Sequence, residues 1–375
     1  MRVDVLVKCE ELERVRDAWD ALASRNRRDG FFQTPTWCLA WMKFIRPESK
    51  PFVFTVRDED GTLLGLAPLC RMRFQEWGFS LKAVGFAGRE VVSGDFLDFL
   101  SSPEIRSQAL NTILRALWDR RSVWSLLVLG ELTLGSDLHA VVKSWAQEKG
   151  LMIRQQEERN CPYIELPRTF DEYLCQLGTS MRYHIRRRQR DLLEKHGAHI
   201  EVYSEPEEIR SGLDILIKLH LARWRHVNNP GTFKRPGFAK FIREICTAPP
   251  AGSRPRLYLL KYEGRAIAAL LAFHFGQSAL YYQAGWDPDS FLVRFSPGVV
   301  LMAQSIRDAI DCGLRYYEFL RGDEFYKSHW TNTVRQTATL LFARTTPARA
   351  YLGASDLKDG FKRLLPGTAT SGAAA

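Results

Sequence analysis

The chain contains the same order of predicted secondary-structure elements twice within its 375 residues. Hydrophobic periodicity and turn residues predict, in each half, a hairpin, a further strand, a helix and a last strand. In the first half these elements are predicted at Pro51–Arg57, Leu64–Met72, Leu81–Phe86, Glu104–Arg120 and Val123–Gly130. In the second half they are predicted at Arg256–Tyr262, Ala266–Phe275, Ala279–Trp286, Pro297–Cys312 and Arg315–Leu320. The repeat predicts an internal duplication into domains at residues 1–165 and 166–350.

The hairpins decide the predicted fold class. Strands joined by short turns pair antiparallel, so we expect an α+β fold of mixed, mainly antiparallel sheets flanked by helices. No G-x-G-x-x-G follows a predicted strand and no G-x-x-x-x-G-K-S/T is present, which argues against dinucleotide and P-loop sites. Residues 366–375, rich in Gly, Ala and Thr, are predicted to be disordered.

The net charge indicates which partners the protein can bind, and the cysteines indicate the compartment in which it works. A formal charge of +10 favours anionic partners, among them a nucleotide-bearing donor, a phosphorylated sugar or lipid, a membrane surface or nucleic acid. The longest apolar runs are too short to span a membrane, and no secretion signal is visible. Seven scattered cysteines without a C-x-x-C pair fit reduced thiols. We therefore expect a cytoplasmic protein without a transmembrane segment and without a metal site.

Several motifs, in their joint order and spacing, resemble one known family. They are Phe31-Phe-Gln-Thr-Pro-Thr-Trp37, Tyr173-Leu-x-x-Leu-x-x-Ser180-x-Arg182, Leu219-His-x-x-Arg-Trp224, Trp286-x-Pro288, Ser296-Pro-Gly298 and Phe319-Leu-Arg-Gly-Asp-Glu-x-Tyr-Lys327-x-x-Trp330. Together they resemble the GNAT-fold acetyltransferases of the CelD-like family of cellulose and exopolysaccharide biosynthesis, relatives of the FemAB aminoacyltransferases. The resemblance implies tandem GNAT-like domains and acyl transfer to an amine, with acetyl-CoA or another acyl-CoA as the donor.

The resemblance also implies where the donor binds. A GNAT fold holds the pantetheine arm against a splayed strand and the pyrophosphate at the following helix N-terminus. This places the donor site at Tyr282, Trp286, Arg294, Ser296 and Gly298. One departure is that Pro297 stands where the family's bend carries its first glycine, and proline offers no N–H to a phosphate. The alternative is a helix simply capped by Ser296, with proline in its first turn.

A charged segment, Glu318–Trp330, begins at the end of the last strand of the repeat and holds the candidate catalytic residues. Amine acylation needs a base for the ammonium proton and an acid for the leaving thiolate. Glu318 or Asp323 is the candidate base, Tyr326 the candidate acid, and Lys327 a candidate holder of an acceptor anion. The alternative is a solvated turn whose charges pair with one another.

Two further segments are candidates for substrate binding. In the predicted helix from Ser180 to His196, Arg182, Arg186 and Arg190 share a face, which predicts anion binding unless nearby carboxylates balance a solvated face. His220, Arg223 and Trp224 end an amphipathic helix before a flexible loop and are candidates for an acceptor pocket, although a tryptophan there is also a common core residue.

Three functions remain open from the sequence. The first is acyl-CoA-dependent acylation of an amino sugar, a lipid-linked glycan or another surface-polymer precursor. The second is aminoacyl transfer from charged tRNA; tRNA is the less favoured partner, because the basic helix lacks the interleaved aromatics of a nucleic-acid platform. The third is a non-catalytic GNAT scaffold in a polysaccharide synthesis complex.

Overall fold

The computed structural model of the protein describes residues 1–89, 92, 94–322 and 324–364. Asp323 and the predicted disordered tail, residues 366–375, lie outside the described residues. The chain forms two compact units: Met1–Asn160 together with the segment from Arg335 onward, and Cys161–Val334.

The first stretch of the chain contains nine strands and five helices in its described part. The strands are β1 (Arg2–Leu6), β2 (Lys50–Pro51), β3 (Val53–Arg57), β4 (Leu63–Ala67), β5 (Leu69–Glu76), β6 (Phe79–Phe86), β7 (Leu100–Ser101), β8 (Leu126–Thr133) and β9 (Met152–Glu165). The helices are α1 (Cys9–Arg14), α2 (Arg16–Arg25), α3 (Pro35–Phe44), α4 (Arg106–Asp119) and α5 (Asp137–Glu148).

The remaining elements belong mostly to the second unit. The helices are α6 (Phe170–Gln176), α7 (Thr179–Gln189), α8 (Pro206–His226), α9 (Phe238–Thr247), α10 (Pro297–Asp311), α11 (Phe325–Ser328) and α12 (Thr346–Leu364). The strands are β10 (His199–Tyr203), β11 (Ser253–Tyr262), β12 (Arg265–Phe275), β13 (Ser278–Trp286), β14 (Tyr316–Glu318) and β15 (Val334–Ala343).

In the second unit, one sheet runs in the order β10, β11, β12, β13, β14 and the end of β9. All neighbours pair antiparallel except β13 and β14, which are parallel because α10 crosses over between them. Alternate side chains of β12, such as Leu270 and Ala272, share a core with α10 and α7. The opposite face is close enough to α8 that Gly285 of β13 abuts the backbone of His220.

In the first unit the strands are divided between two sheets: β1, β3, β4 and β7 form one, and β2, β5, β6 and β8 are neighbours in another. Its parallel pair is β6 and β8, which pair over Ala83–Gly85 and Leu126–Val128, and α4 lies between the two strands in sequence. The predicted α+β class, with mainly antiparallel sheets and two similar halves, is therefore confirmed.

Several element predictions differ from the structure. The predicted helix from Ser180 to His196 is α7 followed by a π-helical turn, Arg190–Lys195. The structure also contains α9 and β10, which were not predicted. The last strand, β15, pairs with β8 of the first unit, although it was assigned to residues 166–350. The order of elements along a chain does not specify which sheet edge a final strand joins.

Candidate functional site

The central feature of the second unit is a gap between two parallel strands. β13 and β14 pair only where Ser278–Leu280 lies opposite Tyr316–Glu318. β13 then continues to Trp286, still paired with β12 on its other side. The β14 side of residues 281–286 therefore has no strand partner in the described part of the chain, and its backbone groups are available to a ligand.

A β-bulge in β13 lies at the start of this gap. Leu271 of β12 is opposite Gln283, whereas Ala272 is opposite Tyr281, so Tyr282 has no opposite residue. The bulge reverses the alternation of side chains. As a result Tyr281, Ala284 and Trp286 all pack on the side of α10. Tyr282 instead packs on Phe273, with ring centroids 5.5 Å apart.

The N-terminus of α10 lies beside the end of β13. Pro297 occupies the first turn, as predicted, and Ser296 before it has a left-handed backbone, with φ 55°. Ser296 occupies the N-cap position but makes no capping hydrogen bond through its side chain, which does not support the alternative of a simple serine cap. A Cβ placed on Gly298 would lie 3.9 Å from the ring of Trp286. The positive end of the α10 dipole therefore adjoins the mouth of the gap.

Arg223 of α8 links the predicted acceptor residues to this mouth. Its guanidinium lies 3.7 Å from the ring centroid of Trp286 and 5.2 Å from that of Trp224. Burial lowers the pKa of Arg223, while Tyr281 and Tyr326 act in the opposite direction. Arginine stays protonated at any ordinary pH, so the mouth of the gap carries a partly desolvated cation.

Two phenols lie next to this cation. The hydroxyls of Tyr281 and Tyr326 are hydrogen-bonded to each other, and either phenol can act as the donor. Burial is the larger cause in both residues and raises both pKa values, against the opposing charge of Arg223. Both side chains are therefore neutral phenols at physiological pH. The bond between them uses one hydroxyl proton, and the other proton is left to donate.

Lys327 is bound within its own loop. Its ammonium lies 2.9 Å from the carbonyl of Arg321, 3.4 Å from that of Leu320 and 2.8 Å from the carboxylate of Glu324. The side chain is 4% exposed. Through these contacts the ammonium stabilises the loop after β14. The prediction that it holds an acceptor anion requires this arrangement to open.

The two candidate bases have different positions. Glu318 is fully buried within β14, opposite Tyr163 of β9. It therefore lies inside the sheet, where a carboxylate needs polar neighbours to be tolerated. Asp323 lies outside the described residues, so its candidate role stays a prediction.

His220 and Trp224 form a second polar group one turn apart on α8. His220 is 2% exposed and bonds through Nδ1 to the carbonyl of Ala284 at 3.1 Å. Because a carbonyl only accepts, Nδ1 carries the proton, and Nε2 has a free lone pair. Nε2 of His220 and Nε1 of Trp224 are buried without a hydrogen-bond partner among the described residues. Burial lowers the pKa of His220 to about 4, so the ring is neutral.

The other predicted arginines are spread over the surface of this unit. Arg182 donates to the carbonyls of Cys175 and Leu177, both at 3.2 Å, and so caps the end of α6. Arg186 is exposed, 3.9 Å from Asp171. Arg294 is exposed and lies 5.1 Å from the ring of Phe295. Arg182 therefore has a structural partner that the periodic row of arginines did not reveal.

Tyr281 was not among the predicted site residues. Strand alternation would have placed it on the face opposite Ala284, and no sequence signal marks the bulge that brings the two to the same face. The predicted residues that the structure does bring together are Trp286, Gly298, Arg223 and Tyr326.

Comparison with known proteins agrees with this geometry. Residues 179–328 match the family model described as the acetyltransferase (GNAT) domain. The structure of FemX is similar, with a TM-score of 0.63, 13% identity, and coverage of 92% of this chain and 98% of that chain. L-PGS from Bacillus licheniformis is similar with a TM-score of 0.51 and 12% identity, covering 92% of this chain and 95% of that chain.

The C-terminal domain of a protein assigned as a lysylphosphatidylglycerol synthetase from Agrobacterium fabrum is also similar. Its TM-score is 0.54 at 11% identity, covering 92% of this chain and 97% of that chain. No curated protein matches the sequence. None of the helices in the described residues is long and apolar enough to cross a membrane. The narrower CelD-like assignment stays a prediction. The protein has a GNAT fold, and residues 179–328 match the model of an acetyltransferase (GNAT) domain.

Proposed function

We propose that the second unit transfers an acyl group from acyl-CoA to the amine of a sugar or surface-polymer precursor. The observation that carries this proposal is the gap beside residues 281–286, with the N-terminus of α10 at its mouth. An extended pantetheine arm carries amide groups that can pair with a free strand edge, as a peptide does in strand addition.

The donor's phosphates have a matching environment. The N-terminus of α10 supplies a positive dipole end, and Gly298 offers the first N–H after Pro297. Because Gly298 has no side chain, a ligand can approach both this N–H and the ring of Trp286. Arg294, exposed nearby in sequence, adds positive charge.

The acceptor is proposed to bind at His220, Arg223 and Trp224. A hydroxyl can donate to Nε2 of His220, and a hydroxyl or carbonyl oxygen can accept from Nε1 of Trp224, which would satisfy two buried groups that now lack partners. Arg223 suits a phosphate or carboxylate on the same molecule. A sugar bearing an amine and an anionic group offers this combination.

Proton transfer is assigned to the groups between these two sites. The acceptor amine must lose a proton, for which Glu318 or Asp323 stays the proposed base. The leaving thiolate must gain one, and the proposed donor is the hydroxyl of Tyr281, which lies in the gap and is hydrogen-bonded to Tyr326. Tyr326 then supports the developing charge on Tyr281 through that same bond.

A second candidate donor is an aminoacyl-tRNA. Two observations favour it: Pro297 removes one N–H from the phosphate-binding bend, and α7 presents exposed Arg186 and Arg187 with the neighbouring Arg190. An exposed row of arginines suits a polyanion.

Calorimetric titration with acetyl-CoA, a longer acyl-CoA and free coenzyme A separates these candidates. We expect binding to the parent protein and to Trp77→Ala, a control at a half-exposed tryptophan of the first unit. Trp286→Ala and Gly298→Val should each lose the affinity, because both change the mouth of the gap.

Thiol release should then depend on an amino-sugar acceptor. Absence of acyl-CoA binding, together with acyl transfer from charged tRNA, would establish the second candidate. Absence of turnover with either donor would leave the non-catalytic scaffold.

A further inference from the structure

A second cluster of reactive side chains lies at the other end of α10. Asp308 and Cys312 are one helical turn apart, and His274 reaches them from β12. One ligand atom from each residue lies within 4.8 Å of the others. About 21 Å of helix separates Cys312 from Gly298 at the opposite end, given 1.5 Å per residue. The cluster is therefore distinct from the proposed transfer site.

His274 is the residue that points to a ligand. Its side chain is 6% exposed, and Nε2 is buried with no hydrogen-bond partner in the described part of the chain. The nearest carboxylate oxygen, Oδ2 of Asp308, is 3.9 Å away, which is too far for a hydrogen bond. The unpartnered Nε2 is therefore the atom of His274 that can ligate a metal ion.

Asp308 retains capacity for one more partner. Arg256 donates to Oδ2 at 2.9 Å and to Oδ1 at 2.7 Å, and the Tyr258 hydroxyl donates to Oδ2 at 2.6 Å. Oδ1 thus accepts one of these bonds and Oδ2 accepts two. A carboxylate has about four acceptor positions, so the three hydrogen bonds leave one position of Asp308 for a cation.

The charges at the cluster also permit a cation. Arg256 and Arg254 are nearby cations, whereas Asp308 and Asp311 are nearby anions. Cys312 is exposed, so its thiol can lose a proton to water on ligation and add a further negative charge.

We propose that His274, Asp308 and Cys312 form a zinc-binding site that joins β12 to the end of α10. One nitrogen, one sulfur and one oxygen are the ligand types that Zn²⁺ takes in proteins. In a tetrahedral zinc site the ligand atoms lie about 3.3 to 3.8 Å from one another. The ligand atoms of His274, Asp308 and Cys312 must therefore move closer together by about 1 Å when zinc binds. Cys312, at the exposed helix end, can make that movement. Water fills the fourth position.

The test is zinc binding by the untagged protein, measured against a chromogenic chelator. We expect one zinc per chain in the parent. Because loss of an outer-shell partner already costs 10- to 100-fold in metal affinity, loss of a direct ligand should weaken binding by about 100-fold or more. Cys312→Ser and His274→Phe should both show this loss. Cys175→Ser, at another exposed cysteine, should bind as the parent does.

Thermal melting of each variant shows whether it is folded. Zinc should raise the midpoint of the parent and of Cys175→Ser, but not that of Cys312→Ser. A parent that binds no zinc overturns the proposal. So does a Cys312→Ser variant that folds and binds zinc as tightly as Cys175→Ser.

Discussion

Tyr281 and Tyr326 show how two similar side chains acquire different roles from one hydrogen bond. In the proposed mechanism Tyr281 gives its proton to the thiolate, and Tyr326 donates to the Tyr281 oxygen through the hydrogen bond between them. Arg223 lowers the pKa of both phenols and opposes the effect of burial. A proton donor works best when its pKa is not far above that of the group it protonates.

We expect Tyr281→Phe to reduce turnover by about 10²- to 10⁴-fold, the usual contribution of a general acid, with little change in donor affinity. Tyr326→Phe should cost less, because Tyr281 keeps its proton. Steady-state kinetics paired with donor-binding calorimetry would measure both effects. Tyr183→Phe, at an exposed tyrosine of α7, is the control. A larger loss in Tyr326→Phe would reverse the two assignments.

The lowered pKa of His220 predicts how the stability of the protein depends on pH. Its native pKa is lowered to about 4 from an ordinary value of 6.5. Between these values the unfolded state binds more protons than the native state, so the free energy of unfolding falls as pH falls through this window. The full effect is about 3 kcal/mol, from 1.36 kcal/mol per pKa unit.

His220→Gln should therefore cost stability at pH 7, and the gap to the parent should narrow by up to about 3 kcal/mol near pH 4. Denaturant unfolding at several pH values would measure it. His184→Gln, at an exposed histidine of α7, should run parallel to the parent. A His220→Gln curve that also runs parallel would mean that His220 is not neutral in the fold.

Among the secondary-structure elements, β13 packs directly against α8 because Gly285 has no side chain. A Cβ at Gly285 would overlap the backbone nitrogen of His220 and lie 2.6 Å from its Cα. Backbone atoms of a helix cannot move aside singly, so α8 as a whole would have to shift. Because Ala284 and His220 are hydrogen-bonded across this contact, the shift would also disturb the acceptor residues.

Gly285→Ala should accordingly destabilise the protein by about 3 kcal/mol or more, at the upper end of overpacking costs. Gly298→Ala is the matched control for stability, because its Cβ would meet nothing closer than 3.9 Å. Thermal and urea unfolding of the two variants would show the contrast. Equal stability of the two would contradict the close approach of α8 to β13.

The sequence predicted these elements unevenly, for physical reasons. β11 to β13 and α10 were predicted to within a few residues, because long apolar runs ending in turn residues are a strong local signal. The bulge at Tyr282 carries no such signal, because it depends on how β12 pairs across the sheet. Likewise Arg182 belongs to a predicted basic row, yet its partners are carbonyls of another helix.

For the whole molecule, the two units share a plan but differ at the gap between their parallel strands. In the first unit, the segment that includes Leu97 lies beside β8 in the corresponding position. Leu97 N–H donates to the carbonyl of Glu131 on β8 at 3.0 Å. Cβ atoms placed on Gly85 and Gly130 would lie 3.7 Å and 3.2 Å from the guanidinium of Arg89, which thus covers both strands. Among the residues that the structure describes, the edge of β8 at Glu131 is therefore already bonded and lies beside a buried arginine, unlike the open edge of β13.

We therefore expect one acyl-CoA per chain, bound in the second unit. Calorimetry on the parent should give a stoichiometry of one, and Trp286→Ala should remove the binding heat altogether. Arg89→Ala, which changes only the first unit, should leave both stoichiometry and affinity unchanged if it folds. Two sites per chain, or binding that survives Trp286→Ala and is lost in Arg89→Ala, would move the donor site to the first unit. Donor binding would then belong to the first unit, although the bulge of β13 and the N-terminus of α10 both lie in the second.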